Sequence, residues 1–340
     1  MKNMKKFCFL LNSLMLCAAM MFTGCGRAEN ETEKKSIRIG VSLYRGDDTF
    51  INNIRGELEK CAKVYEQENG VKVNLDIQDA KGSQNTQNDQ VERFISLGCD
   101  VMCINPVDRT AASVMIDKAM AAGIPVVFFN RQPVEEDMDR WDQLYYVEAV
   151  AKESAVLQGG IVVDRYRENP ESLDLNGDGV VSYVLLEGES SHQDALIRTE
   201  WSVKTLKDGG VPVEKITGGI ANWERSQASA LMEQWLEKYP EQIELILCNN
   251  DDMALGAIDA MDRAGISGIC AVGIDGTTPG LEAVANGKLL GTVSSDKERY
   301  AGAIFTIAAC KAMEQEIPPE IELVEGKYYH CPQQIVVKNQ

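Results

Sequence analysis

The 340-residue sequence holds only two histidines, His192 and His330, and no long apolar run after its first 24 residues. Without a stretch of about 20 apolar residues, the body of the chain has no helix that could cross a membrane. Two histidines, and no second cysteine pair beside Cys99 and Cys103, argue against a zinc site. Positive charge is scarce as well. The 34 Lys and Arg face 52 Asp and Glu, a formal charge of −18, which would repel the phosphates of a nucleic acid. Disorder is excluded as a global description by the 44% of hydrophobic residues. A chain this long usually divides into two domains.

The first 24 residues read as an export signal. Lys2, Lys5 and Lys6 precede the apolar stretch FCFLLNSLMLCAAMMF, and Thr23 and Gly24 lead to Cys25. The stretch FTGC resembles a bacterial lipobox, which implies lipidation of Cys25, with residues 25–36 as a tether. Ordinary secretory cleavage and a retained anchor are the alternatives. Removal of residues 1–24 takes 3 of the 34 basic residues and no acid, leaving a net charge of −21. Beyond Cys25 seven cysteines remain, at 61, 99, 103, 248, 270, 310 and 331. The number is odd, and several lie in apolar runs such as VMCIN and LILCNN. They read as small buried hydrophobes rather than a disulfide scaffold.

From residue 37 onward, strand-like and helix-like segments alternate. Strands are expected at IRIGVSLY, VKVNLDI, VMCIN, VVFFN and YYV, with helices over 50–67, 83–97 and 110–122. The alternation restarts with a helix over 150–166. Strands VSYVLLEG, ITGGI, ELILCN and CAVGID then interleave with helices over 194–208, 224–238, 251–264 and 278–286. LLGTVSSD reads as a strand, 297–314 as a helix and 321–337 as extended segments. Repeated strand–helix–strand units imply parallel crossovers, and two such halves imply an α/β protein with two doubly wound parallel-sheet lobes.

In open parallel sheets, ligands bind beyond the carboxyl ends of the strands. The residues there are Asp47, Asp48, Thr49 and Phe50 after the first strand and Asn130 after VVFF. Glu189, His192, Asp194 and Arg198 follow VSYVLLEG, and Trp223 follows ITGGI. Asn250, Asp275, Ser294 and Ser295 end the remaining strands. Carboxylates that accept, an arginine that donates and amides that do both suit a polyhydroxy ligand, and Phe50 and Trp223 suit the C–H faces of a pyranose. Each residue has a plainer alternative: Asp48, Asp194 and Asp251 as helix caps, Phe50 as core, His192 as an exposed turn residue.

The segments IGVSLYRGDDTF, VVFFNRQP, GESSHQDALIRT, NNDDMALGAIDAM and GIDGTTPGLEAVANGKLLGTV resemble those of the bacterial periplasmic galactose/glucose-binding proteins, over residues 37–337. The resemblance implies a type I periplasmic binding protein fold with a three-segment hinge. One lobe would comprise residues 37–149 and 296–330, the other 150–295 and 331–340. It implies a sugar site of Asp48, Phe50, Asn130, His192, Asp194, Arg198, Trp223, Asn250 and Asp275. The family's further Asn falls on Ser295, which puts one or two ligand hydrogen bonds in doubt, at about 1 kcal/mol each.

Residues 174–182, DLNGDGVVS, match a calcium loop: side-chain oxygens at Asp174, Asn176 and Asp178, a glycine at 179, the Val180 carbonyl, then Ser182. The twelfth position is Leu185, so a carboxylate must come from elsewhere. The resemblance implies Glu244, with Glu187 as the local rival. A structural Ca2+ is expected; a metal-free acidic turn is the alternative.

The leading expectation is therefore a lipid-anchored, extracytoplasmic and monomeric receptor that closes around a monosaccharide, glucose or galactose, and delivers it to an ABC permease. The alternative is a sensor read by a chemoreceptor or sensor kinase. A glycoside hydrolase using Asp48 and Asp275 is disfavoured, because Arg198 is expected to keep the nearby carboxylates ionised. A regulator of related fold is rejected, since the chain lacks a basic DNA-binding headpiece.

Overall fold

The structure, a computed structural model, describes residues 36–338; the signal, Cys25 and nearly all of the tether lie outside them. Two six-stranded sheets organise the described residues. The first contains β1 (Ser36–Leu43), β2 (Lys72–Asp79), β3 (Val101–Ile104), β4 (Val126–Phe129), β5 (Leu144–Glu148) and β11 (Tyr328–His330), in the order β11-β5-β4-β3-β1-β2. Every pairing in it is parallel. The second contains β6 (Val181–Glu187), β7 (Val213–Ile220), β8 (Leu245–Cys248), β9 (Cys270–Asp275), β10 (Gly291–Ser295) and β12 (Gln333–Val337), in the order β12-β10-β9-β8-β6-β7. It too is parallel, except that β12 runs antiparallel to β10.

The inner strands VMCI, VVFF and LILC are buried at every position, as expected of sheets covered on both faces. Because side chains alternate along a strand, each sheet feeds two cores. Val101, Cys103, Val127 and Phe129 point into one core of the first lobe, while Met102, Ile104, Val126 and Phe128 point into the other. Helices α1 (Thr49–Asn69) and α10 (Lys297–Ala312) cover the former face. Helices α2 (Gln84–Ser96) and α3 (Ala112–Ala122) cover the latter. In the second lobe α5 (Ala151–Glu168) and α6 (Gln193–Asp208) lie on one face. The other face carries α7 (Arg225–Lys238), α8 (Asp251–Ala264) and α9 (Thr278–Ala285). The short α4 (Glu135–Met138), unforeseen in the sequence, precedes β5. The extended 321–337 segment resolves into β11 and β12, one strand for each sheet.

The chain passes between the sheets three times, after β5, after β10 and after β11. These crossings are bonded to one another: Cys331 N–H donates to the Glu148 carbonyl at 2.7 Å and the Gln333 amide donates to the Val150 carbonyl at 2.9 Å. No disulfide joins the seven described cysteines, all of which are free.

Candidate functional site

The carboxyl ends of the two sheets face a shared cleft. Tyr44, Asp48, Phe50, Asn130 and Arg131 line it from the first lobe, and His192, Asp194, Arg198, Trp223, Asn250 and Asp275 from the second. Nine of the ten residues expected at a sugar site thus share one cleft. Ser295 does not line it; it sits 4% exposed at the end of β10, paired with Gln333.

Several plainer readings turn out to coexist with the cleft. Asp48 caps α1, accepting from Ile51 N–H at 2.9 Å, and its second oxygen accepts from the Tyr44 hydroxyl at 2.6 Å. Phe50 is part of the core, edge-on to Tyr300 at 5.7 Å, and still reaches the cleft wall. His192 is buried rather than exposed, and it, not Asp194, caps α6. Its Nδ1 accepts from Asp194 N–H at 3.1 Å, so in the neutral ring Nε2 carries the proton. Burial and then the cations Arg131, Arg198 and Arg109 hold the imidazole well below its usual pKa. Asn250, not Asp251, caps α8, accepting from Met253 N–H at 3.0 Å while its amide donates to the Trp223 carbonyl at 3.3 Å. Asp251 instead lies buried beneath the cleft, where Thr292 donates to it at 2.6 Å and Thr277 N–H at 2.8 Å.

Three cleft residues hold left-handed backbone that side chains rarely adopt: Asn130 (φ 64°), Trp223 (φ 67°) and Asp275 (φ 108°). Such strain persists where surroundings fix it, and for Asn130 they do. Its N–H donates to the Tyr300 hydroxyl at 3.0 Å, its carbonyl accepts from Tyr146 at 3.1 Å, and Asn105 donates to its side-chain oxygen at 3.1 Å. Trp223 is seated by Gly188, where a Cβ would fall 2.1 Å from the indole ring. The ring also meets His192 edge-on at 5.2 Å.

Arg198 donates to the Asn249 carbonyl at 2.8 Å and approaches Asp275 at 3.4 Å and Asp194 at 3.9 Å. The expectation that it keeps the nearby carboxylates ionised is corrected for Asp275. Burial is the larger influence and raises both, Asp275 well above its ordinary value, with Arg198 opposing. The buried Nε atoms of Arg131 and Arg198 and Nε1 of Trp223 have no protein partner. Buried donors of this kind ordinarily find one, and a hydroxylated ligand supplies acceptors as well as donors.

Two lining residues, Tyr44 and Arg131, were not singled out in the sequence. Tyr44 closes the expected first strand and Arg131 directly follows Asn130, so position at a strand end is the signal that marks both. Arg131 lies over the Tyr44 ring at 3.7 Å and pairs with Glu189 at 2.9 Å; Arg45 pairs with Glu224 at 2.8 Å.

Away from the cleft, the 174–182 segment forms a tight loop. Asp174 accepts from Gly177 and Gly179 N–H, Asn176 from Asp178 N–H, and Asp178 from Val180 N–H. Glu244 reaches this loop, accepting from the N–H groups of Leu175, Asn176 and Ser182 at 2.7–3.0 Å. Glu187 points elsewhere, accepting from Thr199 at 3.4 Å. The loop donors Asn176, Ser182 and the Val180 carbonyl, with three acids, are the oxygen set a calcium ion takes. Among the described residues, however, no three His, Cys, Asp or Glu side chains converge closely enough to hold a metal by themselves.

The model of the periplasmic binding protein domain matches residues 39–316. The D-galactose/methyl-galactoside binding periplasmic protein of Haemophilus influenzae is 36% identical over 272 residues, 80% of either chain. A putative rhizopine-binding protein of Rhizobium meliloti is 33% identical over 328 residues, 94% of this chain and 96% of that one. Among solved structures, an ABC transporter solute-binding protein of Bacillus halodurans with bound myo-inositol superposes with a TM-score of 0.72. It has 28% identity and covers 91% of this chain and 96% of its own.

Proposed function

The chain belongs to the periplasmic binding protein family, and from that premise we propose that it captures a hexose, galactose or glucose, outside the cytoplasm and passes it to an ABC importer. The family is one of binding proteins, and this chain is not an enzyme. What carries the hexose reading is that Phe50 and Trp223, one from each lobe, line a single cleft whose remaining wall is carboxylate, amide, imidazole, guanidinium and the Tyr44 phenol. Rings of this kind cover the apolar faces of a pyranose, while Asp48 and Asp194 accept from its hydroxyls, Asp275, whose burial favours the protonated carboxyl, both donates and accepts, and Arg198, Asn130 and Asn250 donate to its oxygens. Closing the lobes removes water and strengthens each charge-assisted bond. The 36% identity to a galactose binder supports the same choice.

A thermal-shift panel of galactose, glucose, ribose, xylose and myo-inositol tests it. Galactose or glucose should raise the unfolding temperature most, since a ligand at 100 times its Kd adds about 2.7 kcal/mol. A shift confined to a pentose or to inositol would displace the hexose assignment.

We propose further that the 174–182 loop with Glu244 holds a structural calcium ion, and that Cys25 carries lipid. A Cys25→Ala protein should move from the detergent phase to the aqueous phase on partitioning; retention of both forms in one phase would count against the anchor.

A further inference from the structure

We propose that Arg131 and Glu189 form the latch of the cleft, a partly buried ion pair between the lobes that sets how long ligand is retained. The inference rests on the reading of this cleft as the ligand site, and it concerns residues that do not come from the expected sugar contacts.

Arg131 belongs to the first lobe and Glu189 to the second. Their contact is a fork in which Nη2 donates to one Glu189 oxygen at 2.9 Å and Nη1 lies 2.9 Å from the other, so both carboxylate oxygens face the guanidinium. The two side chains are 6% and 22% exposed. By contrast the second bridge between the lobes, Arg45–Glu224, is a single contact at 2.8 Å between side chains 21% and 33% exposed. The more a pair is shielded from water, the more its breaking costs, so the Arg131 pair, with the more buried arginine and both carboxylate oxygens engaged, is the stronger of the two.

Each end of the fork is in series with a ligand-facing residue. Arg131 follows Asn130 directly, and its guanidinium lies 3.7 Å over the ring of Tyr44, whose hydroxyl donates to Asp48 at 2.6 Å. A further bond from Arg131 to the Val107 carbonyl at 3.0 Å fixes the arm to its own lobe. On the other side the Glu189 carbonyl accepts from His192 N–H at 3.0 Å, which ties it to the turn that opens α6 and presents His192 and Asp194. Opening the cleft must break the fork, and the fork closes only when both ligand-bearing turns are in register. Arg131 and Glu189 therefore act as positioning residues through Asp48, Asn130 and His192.

The test uses the exported chain and the tightest-binding monosaccharide of the panel above, followed by stopped-flow tryptophan fluorescence. Glu189→Gln keeps the shape of the side chain and removes its charge. Its off-rate should rise at least about tenfold, with the on-rate within about threefold of the parent. Glu224→Gln should change the off-rate by less than about fivefold. Glu189→Asp, which retains charge but shortens the fork, should fall between parent and Gln. Off-rates within about twofold of the parent for both Glu189 variants, or a loss carried by the on-rate, overturn the latch. If no monosaccharide binds, the ligand reading fails by itself and small-angle scattering decides the latch. Glu189→Gln should then show a larger radius of gyration than the parent, and equal radii overturn it.

Discussion

At the scale of single residues, the cleft is governed by burial more than by charge pairing. Asp251 and Glu148 are each raised to about 7, chiefly by burial. Glu148 is further raised by Asp194 and is 3.2 Å from His330. Unfolded carboxyls titrate near 4. Between about pH 4 and pH 7 the folded chain thus holds more protons than the unfolded one, and stability from these groups falls as pH rises through that window. The raised Asp194 and Asp275 act in the same direction, while His192, lowered by burial, acts oppositely below about pH 6.5. The unfolding temperature should therefore be higher at pH 5.5 than at pH 8 by a few degrees, since 1 kcal/mol moves the midpoint of a lobe-sized unit by roughly 2–4 °C. Asp251→Asn should flatten the slope, and an unaltered slope in a calorimetric pH series would count against the buried acid. Trp223→Ala should weaken hexose binding at least about tenfold in calorimetric titration, since it removes one aromatic wall. Undiminished affinity would deny the ring that role.

At the scale of elements, the fold was legible because hydrophobic period and punctuation agree. The 251–264 helix was placed to the residue, and the others within about two residues at most ends. Asp48, Ser83 and Asn250 mark helix starts and Gly70, Gly123 and Gly265 mark ends. The 321–337 segment was not legible as two strands, because β11 and β12 are short, half-exposed and paired with distant partners. The cleft was legible for the residues at strand ends, yet not for the Arg131 stack, which depends on how Tyr44 leaves β1. Nor did spacing alone reveal that burial would outweigh Arg198. The 174–182 loop is the element whose chemistry is testable separately. EDTA should lower the unfolding temperature of the parent by about 5 °C, roughly the 2 kcal/mol expected of a bound ion held well above its Kd. Glu244→Gln should lower it in the same sense and abolish the EDTA effect. A variant as sensitive to EDTA as the parent would remove Glu244 from the metal, leaving it as an anchor for the three loop amides it already receives.

At the scale of the whole molecule, two lobes share one strongly acidic chain and three bonded crossings. Deleting residues from Tyr328 onward removes the edge strand of each sheet. Both lobes should be destabilised together, and differential scanning calorimetry should show every unfolding transition moved downward; one lobe melting at its original temperature would contradict this. The same arrangement bears on birth as well as stability. A polypeptide emerging from its N-terminus holds neither sheet entire until residues 328–337 have followed, because the last strand of each is supplied by this closing stretch. Because domains fold as units, the two lobes gain their full strand complement together, from one short stretch, rather than one lobe being complete before the other.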